Sequence, residues 1–282
     1  MKLKFWGTRG SCAAPFTDRS EFGGNTSCAA IRSGNCWLIC DAGTGIIPLA
    51  GEIRKAALMS EALDCRVKIL ISHFHLDHVI GLPMFLAALP KAAEVTLYTV
   101  PDQVGKEGHA DRLVSLIGPP LWPVRLTDVC PQLRLIDLAQ DTEQDLGEGI
   151  TVKPMLSNHP NNTSIYRIHW DGLDIVYGLD CEITDDFEET YIHFVSGCDY
   201  LLYDGAYTDT DYARCVGFGH SPFSRALSIA EKTGAKQVFV MHYDYAYTDE
   251  LLREAERSIA DKTGRVLFAR EGQTFDLQPK SR

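Results

Sequence analysis

The chain has 282 residues, 45% of them hydrophobic, and a net charge of −11. That is enough to bury a substantial core as one large unit. It is too acidic to grip a long polyanion, which needs clustered lysine and arginine.

No apolar run reaches membrane-spanning length, and Met1-Lys2-Leu3-Lys4-Phe5 leads into a strand rather than a signal-peptide core. Strand-like runs are expected at 2–6, 28–32, 36–41 and 67–71, with helices near 46–62 and 81–89. A strand at 95–98 precedes an irregular insertion, 101–148, that contains Gly118-Pro119-Pro120-Leu121-Trp122-Pro123. Further strands are expected near 150–156, 163–170, 173–179 and 199–203. Asp171-Gly172 is a tight-turn signal between the second and third of these, and that hairpin is expected to put His159 and Asp180 at the same end of neighbouring strands. A helix at 222–233, a strand at 236–241, a helix at 248–261 and a strand at 265–268 close the chain. Periodicity gives α/β or α+β, with strands clustered in each half and helices interspersed, as suits two packed sheets with helices outside. The nine cysteines are an odd number and are scattered without close metal-type pairs. Cys36 and Cys40 alternate with Trp37 and Ile39 as buried small hydrophobes would. A cytoplasmic location is expected.

The densest chemical signal is Ser72-His73-Phe74-His75-Leu76-Asp77-His78, directly after the apolar run 67–71. His73 and His75 are two apart at a strand end and can close on one cation. Asp77 and His78 are adjacent and, once the chain turns, can face a second. Nitrogen ligands with one carboxylate suit zinc or another borderline transition metal. A two-metal site needs further ligands and a bridging carboxylate. The candidates repeat one design, a ligand just beyond a hydrophobic strand: His159 after 150–156, Asp180 after 175–179, and His242 after 237–241.

On these residues the chain resembles the metallo-β-lactamase-fold hydrolases over nearly its whole length. The motif His73-x-His75-x-Asp77-His78, followed by His159, Asp180 and His242, matches that family's dinuclear pattern. The chain is most similar to the phosphodiesterase branch. That branch includes ribonuclease Z, class II cyclic-nucleotide phosphodiesterases and the cyclic phosphodiesterase of phosphonate breakdown. The features shared with it are Gly7-Thr8-Arg9-Gly10-Ser11, Gly23-Gly24-Asn25-Thr26-Ser27 and Gly219-His220-Ser221. The resemblance implies an αββα sandwich of two mixed β-sheets flanked by helices, as a single unit over 1–282. It implies that His73, His75 and His159 hold one divalent metal, that Asp77, His78 and His242 hold the other, and that Asp180 bridges. Zinc is the expected metal, with manganese or iron as alternatives. Asp41 matches an aspartate that supports such ligands from behind.

The expected chemistry is attack by a metal-bound hydroxide on a phosphodiester, with Asp77 and Asp180 orienting it and His220 protonating the leaving group. A helix-start residue is the structural alternative for His220. His109, His169 and His193 have no partner pattern, and Trp122 suits either a pocket wall or lid packing. Arg9 and Arg167 suit phosphate contact or structural pairing. The acidic balance favours a small anionic phosphodiester, such as a cyclic nucleotide, over long nucleic acid, with no membrane partner and a homodimer left open. The alternatives are a carboxylic ester, thioester, lactone or β-lactam hydrolase on the same scaffold, or a non-hydrolytic di-iron sensor. His75 counts against the sensor, since redox relatives carry a carboxylate there. Asn161-Asn162-Thr163-Ser164 and Tyr243 depart from the family pattern.

Overall fold

The computed structural model describes residues 1–59, 65–101, 108–259 and 264–278. Its first sheet is built from β1 (Lys2–Gly7), β2 (Cys28–Ser33), β3 (Cys36–Cys40), β4 (Arg66–Leu70), β5 (Glu94–Thr99) and β6 (Arg134–Asp137). The second holds β7 (Gln144–Gly147), β8 (Ile150–Leu156), β9 (Ser164–Trp170), β10 (Leu173–Gly178), β11 (Tyr200–Asp204), β12 (Gln237–Met241) and β13 (Val266–Phe268). The last strand, β14 (Thr274–Asp276), returns to pair with β1, so the strand orders are β14-β1-β2-β3-β4-β5-β6 and β13-β12-β11-β10-β9-β8-β7. Both sheets are mixed: β3 to β6 are parallel, as are β10 to β13, while β1 to β3 and β7 to β10 pair antiparallel. Asp171 and Gly172 take the positive φ angles, 50° and 77°, that a two-residue hairpin turn demands.

The two sheets bury their facing sides against each other, Leu3, Phe5, Leu38 and Cys40 meeting Tyr166, Ile175, Leu202 and Phe239. Outside the first sheet lie α1 (Ile46–Met59), α3 (Leu82–Ala88), α4 (His109–Leu116) and α5 (Leu126–Val129), after the one-turn α2 (Leu76–Val79). Outside the second lie α6 (Asp185–Val195), α8 (Arg225–Thr233) and α9 (Asp249–Ile259), with the short α7 (Asp209–Cys215) between α6 and α8. This is the expected αββα sandwich. At the seam, Phe239 is fully buried, its ring 5.1 Å from Phe5 and 4.6 Å from Phe275. Phe239→Ala is expected to cost about 3–5 kcal/mol, because the rings of both sheets lose contact and cannot collapse into the void. A urea-unfolding series would read it as a lower midpoint.

Four expectations need correction. The stretch 101–148 is not merely irregular: its described part carries α4, α5, β6 and β7, and the two strands extend one sheet each. They are short edge strands with mostly exposed side chains, so no apolar alternation marks them. The helix α6 was not expected, although Thr184 precedes an acidic first turn and Tyr191, Phe194 and Val195 form its buried face. The helix α8 starts at Arg225, not at 222, because Ser221 and Pro222 are committed elsewhere: the Ser221 hydroxyl donates to the Cys181 carbonyl, and the Pro222 carbonyl accepts from Tyr203. The strands ending at His159 and Asp180 are not neighbours, since β9 lies between β8 and β10, but both end at the same sheet edge. The expected helix ends at 60–62 and 260–261, and residues 102–107 of the insertion, lie outside the described residues.

Candidate metal centre

Parallel strands place their carboxyl ends on one edge, and the site is assembled there from both sheets. After β4 the chain runs straight through His73 and His75 into α2, whose first turn carries Asp77 and His78. From the second sheet, His159 follows β8, Asp180 follows β10 and His242 follows β12. Asp41, Asp180 and His242 all have left-handed backbone, with φ of 60°, 54° and 69°. Such angles are uncommon outside glycine, though Asp and His tolerate them better than most. They turn each chain sharply at its strand end, and the strain, of order 1–3 kcal/mol each, is what surrounding packing has to hold.

All seven predicted ligand residues converge. His73, His75 and His159 present nitrogens within reach of one cation, and Asp77, His78 and His242 form a second such group. His75 Nδ1 lies 3.3 Å from His159 Nε2, and His78 Nε2 lies 3.3 Å from His242 Nε2. Asp180 stands between the groups. Its Oδ1 is 3.8 Å from His73 Nε2 and 3.7 Å from His159 Nε2, while its Oδ2 is 3.2 Å from His78 Nε2 and 3.4 Å from His242 Nε2.

The outer contacts set which nitrogen of each ring faces inward. Asp41 is fully buried and accepts from Ser72 N, Ser72 Oγ, Tyr177 OH and His78 Nδ1, at 2.6 to 2.8 Å. Since the Ser72 hydroxyl proton goes to Asp41, Ser72 Oγ accepts from His73 Nδ1 at 3.0 Å. His159 Nδ1 donates to the Gly219 carbonyl at 2.9 Å. Three rings therefore carry their proton on Nδ1, and Nε2 is the nitrogen each turns into the cluster.

Buried His73 Nε2 and Asp180 Oδ2 find no hydrogen-bond partner among the described residues. Orphaned donor atoms of nitrogen and carboxylate type, converging from both sheets, fit divalent cations of the zinc class.

The electrostatics agree. Burial pushes the His73, His75 and His159 imidazoles toward their neutral form. Burial also opposes charge on Asp77 and Asp180, yet the facing imidazoles of His78 and His242 outweigh it and hold both carboxyls below their usual range. His78 is driven the other way: against its burial, Asp180, Asp77 and Asp41 hold its imidazole well above the ordinary value. A cation would displace that proton.

His220 sits at the edge of this cluster, its ring 4.8 Å from that of His159. Its Nδ1 meets Asp204 Oδ2 at 2.8 Å, and although burial disfavours the charge, Asp204 raises the imidazole to about 9. It lies in a loop and not at a helix start. Sequence reasoning missed Asp204, which ends the apolar run of β11 just as Asp180 and His242 follow theirs.

The N-terminal motif closes the site from the first sheet. Ser11 N donates to Asp77 Oδ2 at 2.7 Å, and the backbone of Gly10 packs so near His242 that an added Cβ would stand 2.6 Å from its ring. Arg9 proves structural: wholly buried, it donates to the carbonyls of Gly23, Asp244 and Tyr247. Arg167 pairs with Asp174 and donates to the carbonyls of Phe194 and Ser196. His169 lies near Asp174, His193 is exposed on the last turn of α6, and the side chain of His109 lies outside the described residues. Asn161 lies over the cluster with its amide 2.9 Å from His75 Nε2.

Comparison with known proteins places the fold and the family. The model of the Beta-lactamase superfamily domain matches residues 36–243. A ribonuclease Z of Picrophilus torridus is 25% identical, with 100% of this chain and 97% of that protein covered. The metallo-beta-lactamase fold protein YhfI from Bacillus subtilis superposes with a TM-score of 0.68 at 19% identity, over 98% of this chain and 99% of that one. A diphosphatase from the PhnP family gives 0.65 at 17% identity, over 97% of this chain and 96% of the other.

Proposed function

This chain belongs to the beta-lactamase superfamily, and from that membership and its site we propose a metal-dependent hydrolase that cleaves a small phosphodiester. The observation that carries the metal reading is the placement of Asp180, with one oxygen toward His73 and His159 and the other toward His78 and His242. In this reading His73, His75 and His159 hold one cation, Asp77, His78 and His242 hold a second, and Asp180 serves both. The nitrogen-rich donor set favours zinc. Two such cations would supply neutralisation of phosphoryl charge and a water acidic enough to attack at neutral pH.

The chain's own groups do the rest. Asp41 fixes His78 directly and His73 through Ser72, so neither ring can turn away. Asp77 is aimed by the Ser11 amide and would orient the attacking water through its carboxylate. His220, held at Nδ1 by Asp204, presents Nε2 as the proton donor to the departing oxygen.

A compact substrate is supported by the net charge of −11, which disfavours a long polyanion. The likeness to ribonuclease Z over the whole chain supports a second reading, an RNA substrate. A cytoplasmic location is part of the proposal, supported by nine cysteines that are all free thiols.

A substrate panel on zinc- and manganese-reconstituted protein tests these readings. It should span 2′,3′- and 3′,5′-cyclic nucleotides, linear phosphodiesters, a precursor RNA, a thioester and a lactone. Turnover is expected to be highest on a small diester. Preferred cleavage of the RNA would favour the second reading, and turnover confined to thioester or lactone would overturn both.

A further inference from the structure

Two residues beyond Asp180, Glu182 carries a carboxylate that the chemistry above does not use. It is 2% exposed, and its acceptors are filled by neutral donors. Tyr212 OH reaches Oε1 at 3.0 Å, Gly217 N reaches both oxygens at 2.9 Å, and Gly219 N reaches Oε2 at 3.1 Å. Burying a carboxylate is costly unless its hydrogen bonds are made, and here two of the donors are backbone amides of one short loop. Gly217 and Gly219 have φ of 87° and 91°, so the loop takes a path that other residues rarely adopt.

What that loop delivers is the Gly219 carbonyl to His159 Nδ1, and His220 next to it. The approach is close: a Cβ on Gly219 would fall 2.2 Å from His159 Nδ1. The main chain of Glu182 is tied to the other side of the same histidine. Its N–H donates to the Asn158 carbonyl at 3.1 Å, and Asn158 Nδ2 donates to the Glu182 carbonyl at 2.8 Å. Glu182 thus joins the segment that carries His159 to the loop that orients it.

We infer that Glu182 is a positioning residue, which fixes the Nδ1–H tautomer and the ring direction of His159 by clamping the Gly219 amide. The inference rests on His159 being a metal ligand, as proposed above. A carbonyl can only accept, so as long as Gly219 is held, His159 keeps its proton on Nδ1 and its lone pair on Nε2. Without the clamp the loop is anchored only on its far side, by His220 to Asp204 and Ser221 to Cys181, and the Gly219 carbonyl loses the restraint that keeps it on His159 Nδ1. Partners of this outer kind typically govern metal affinity by about 10–100-fold.

Glu182→Gln tests this, since it keeps the size but sets an NH2 group against N–H donors. Metal affinity is measured by chelator competition with zinc. In the metal-free protein the His159 tautomer is read by long-range 1H–15N NMR, and a melting temperature is taken alongside. One of the two metals is expected to weaken by about 10–100-fold while the other stays near wild type, and His159 is expected to show mixed tautomers. If Glu182→Gln does not fold, Glu182→Asp, which keeps the charge but draws it back from Gly219, should show the same selective loss. Unchanged affinity and tautomer in either folded variant would overturn the inference, as would equal weakening of both metals together with a lower melting temperature. A wild-type protein that binds fewer than two metals would fail the metal reading itself, and this inference with it.

Discussion

Asp180→Ala is expected to bind neither metal tightly and to lose activity by far more than the roughly 10–100-fold that outer contacts govern. The carboxylate is 1% exposed and stands among four imidazoles, each oxygen serving one pair. Removing it takes a donor atom from both groups at once, so the two metal contents should fall together. The variant also strains a left-handed position that aspartate tolerates better than alanine. Asp180→Asn, which suits that backbone, separates the two effects: it should fold normally yet still bind poorly, because an amide does not carry the charge. Elemental analysis after reconstitution with excess zinc reads the outcome. Loss of one metal alone would show that Asp180 serves a single ion.

His220→Ala should behave differently, keeping its metals and its fold. A general acid contributes roughly 10²–10⁴-fold, and mainly where the leaving group is a poor one. Hydrolysis of diesters with alkoxide leaving groups should therefore slow by about that factor, while p-nitrophenyl diesters, whose leaving group departs readily as the anion, should lose much less. The geometry behind this is the contact of His220 with Asp204, which fixes one ring nitrogen, so that the other would be the one to serve the substrate in the proposed reaction. Equal loss on both substrates would assign His220 to phosphate binding or support. No loss on either would remove it from the mechanism.

Much of this site was legible in the sequence because its residues obey one rule. Each follows an apolar run, and parallel strands bring their carboxyl ends to a common edge. Hence His73, His159, Asp180 and His242, far apart in the chain, could be grouped before any coordinates. Asp204 obeys the same rule but follows an unremarkable Tyr-Leu-Leu-Tyr run, and only its contact with His220 sets it apart. Glu182 carries no such sign. Its meaning depends on the amides of Gly217 and Gly219, and no spacing in the sequence says where those point. The fold divides in the same way. Strands with buried faces were clear, whereas β6 and β7 are short and mostly exposed, and their existence depends on the sheet edge beside them. The helix α6 went unread although its acidic start and apolar stripe were there to see, while α7 buries no residue and so has no stripe to read.

The proposed ligands are shared across the seam between the sheets. His73, His75, Asp77 and His78 come from the segment after β4, and His159, Asp180 and His242 from the strand ends opposite. Any ion held by both sides would also weld the two halves of the molecule. Its binding energy would count toward folding, at about 2.7 kcal/mol when free metal stands 100-fold above its dissociation constant. Function and persistence then draw on the same seven side chains. A lineage that discards the reaction loses a cross-link with it, and a substitution at a ligand is filtered twice, once for catalysis and once for survival of the folded chain.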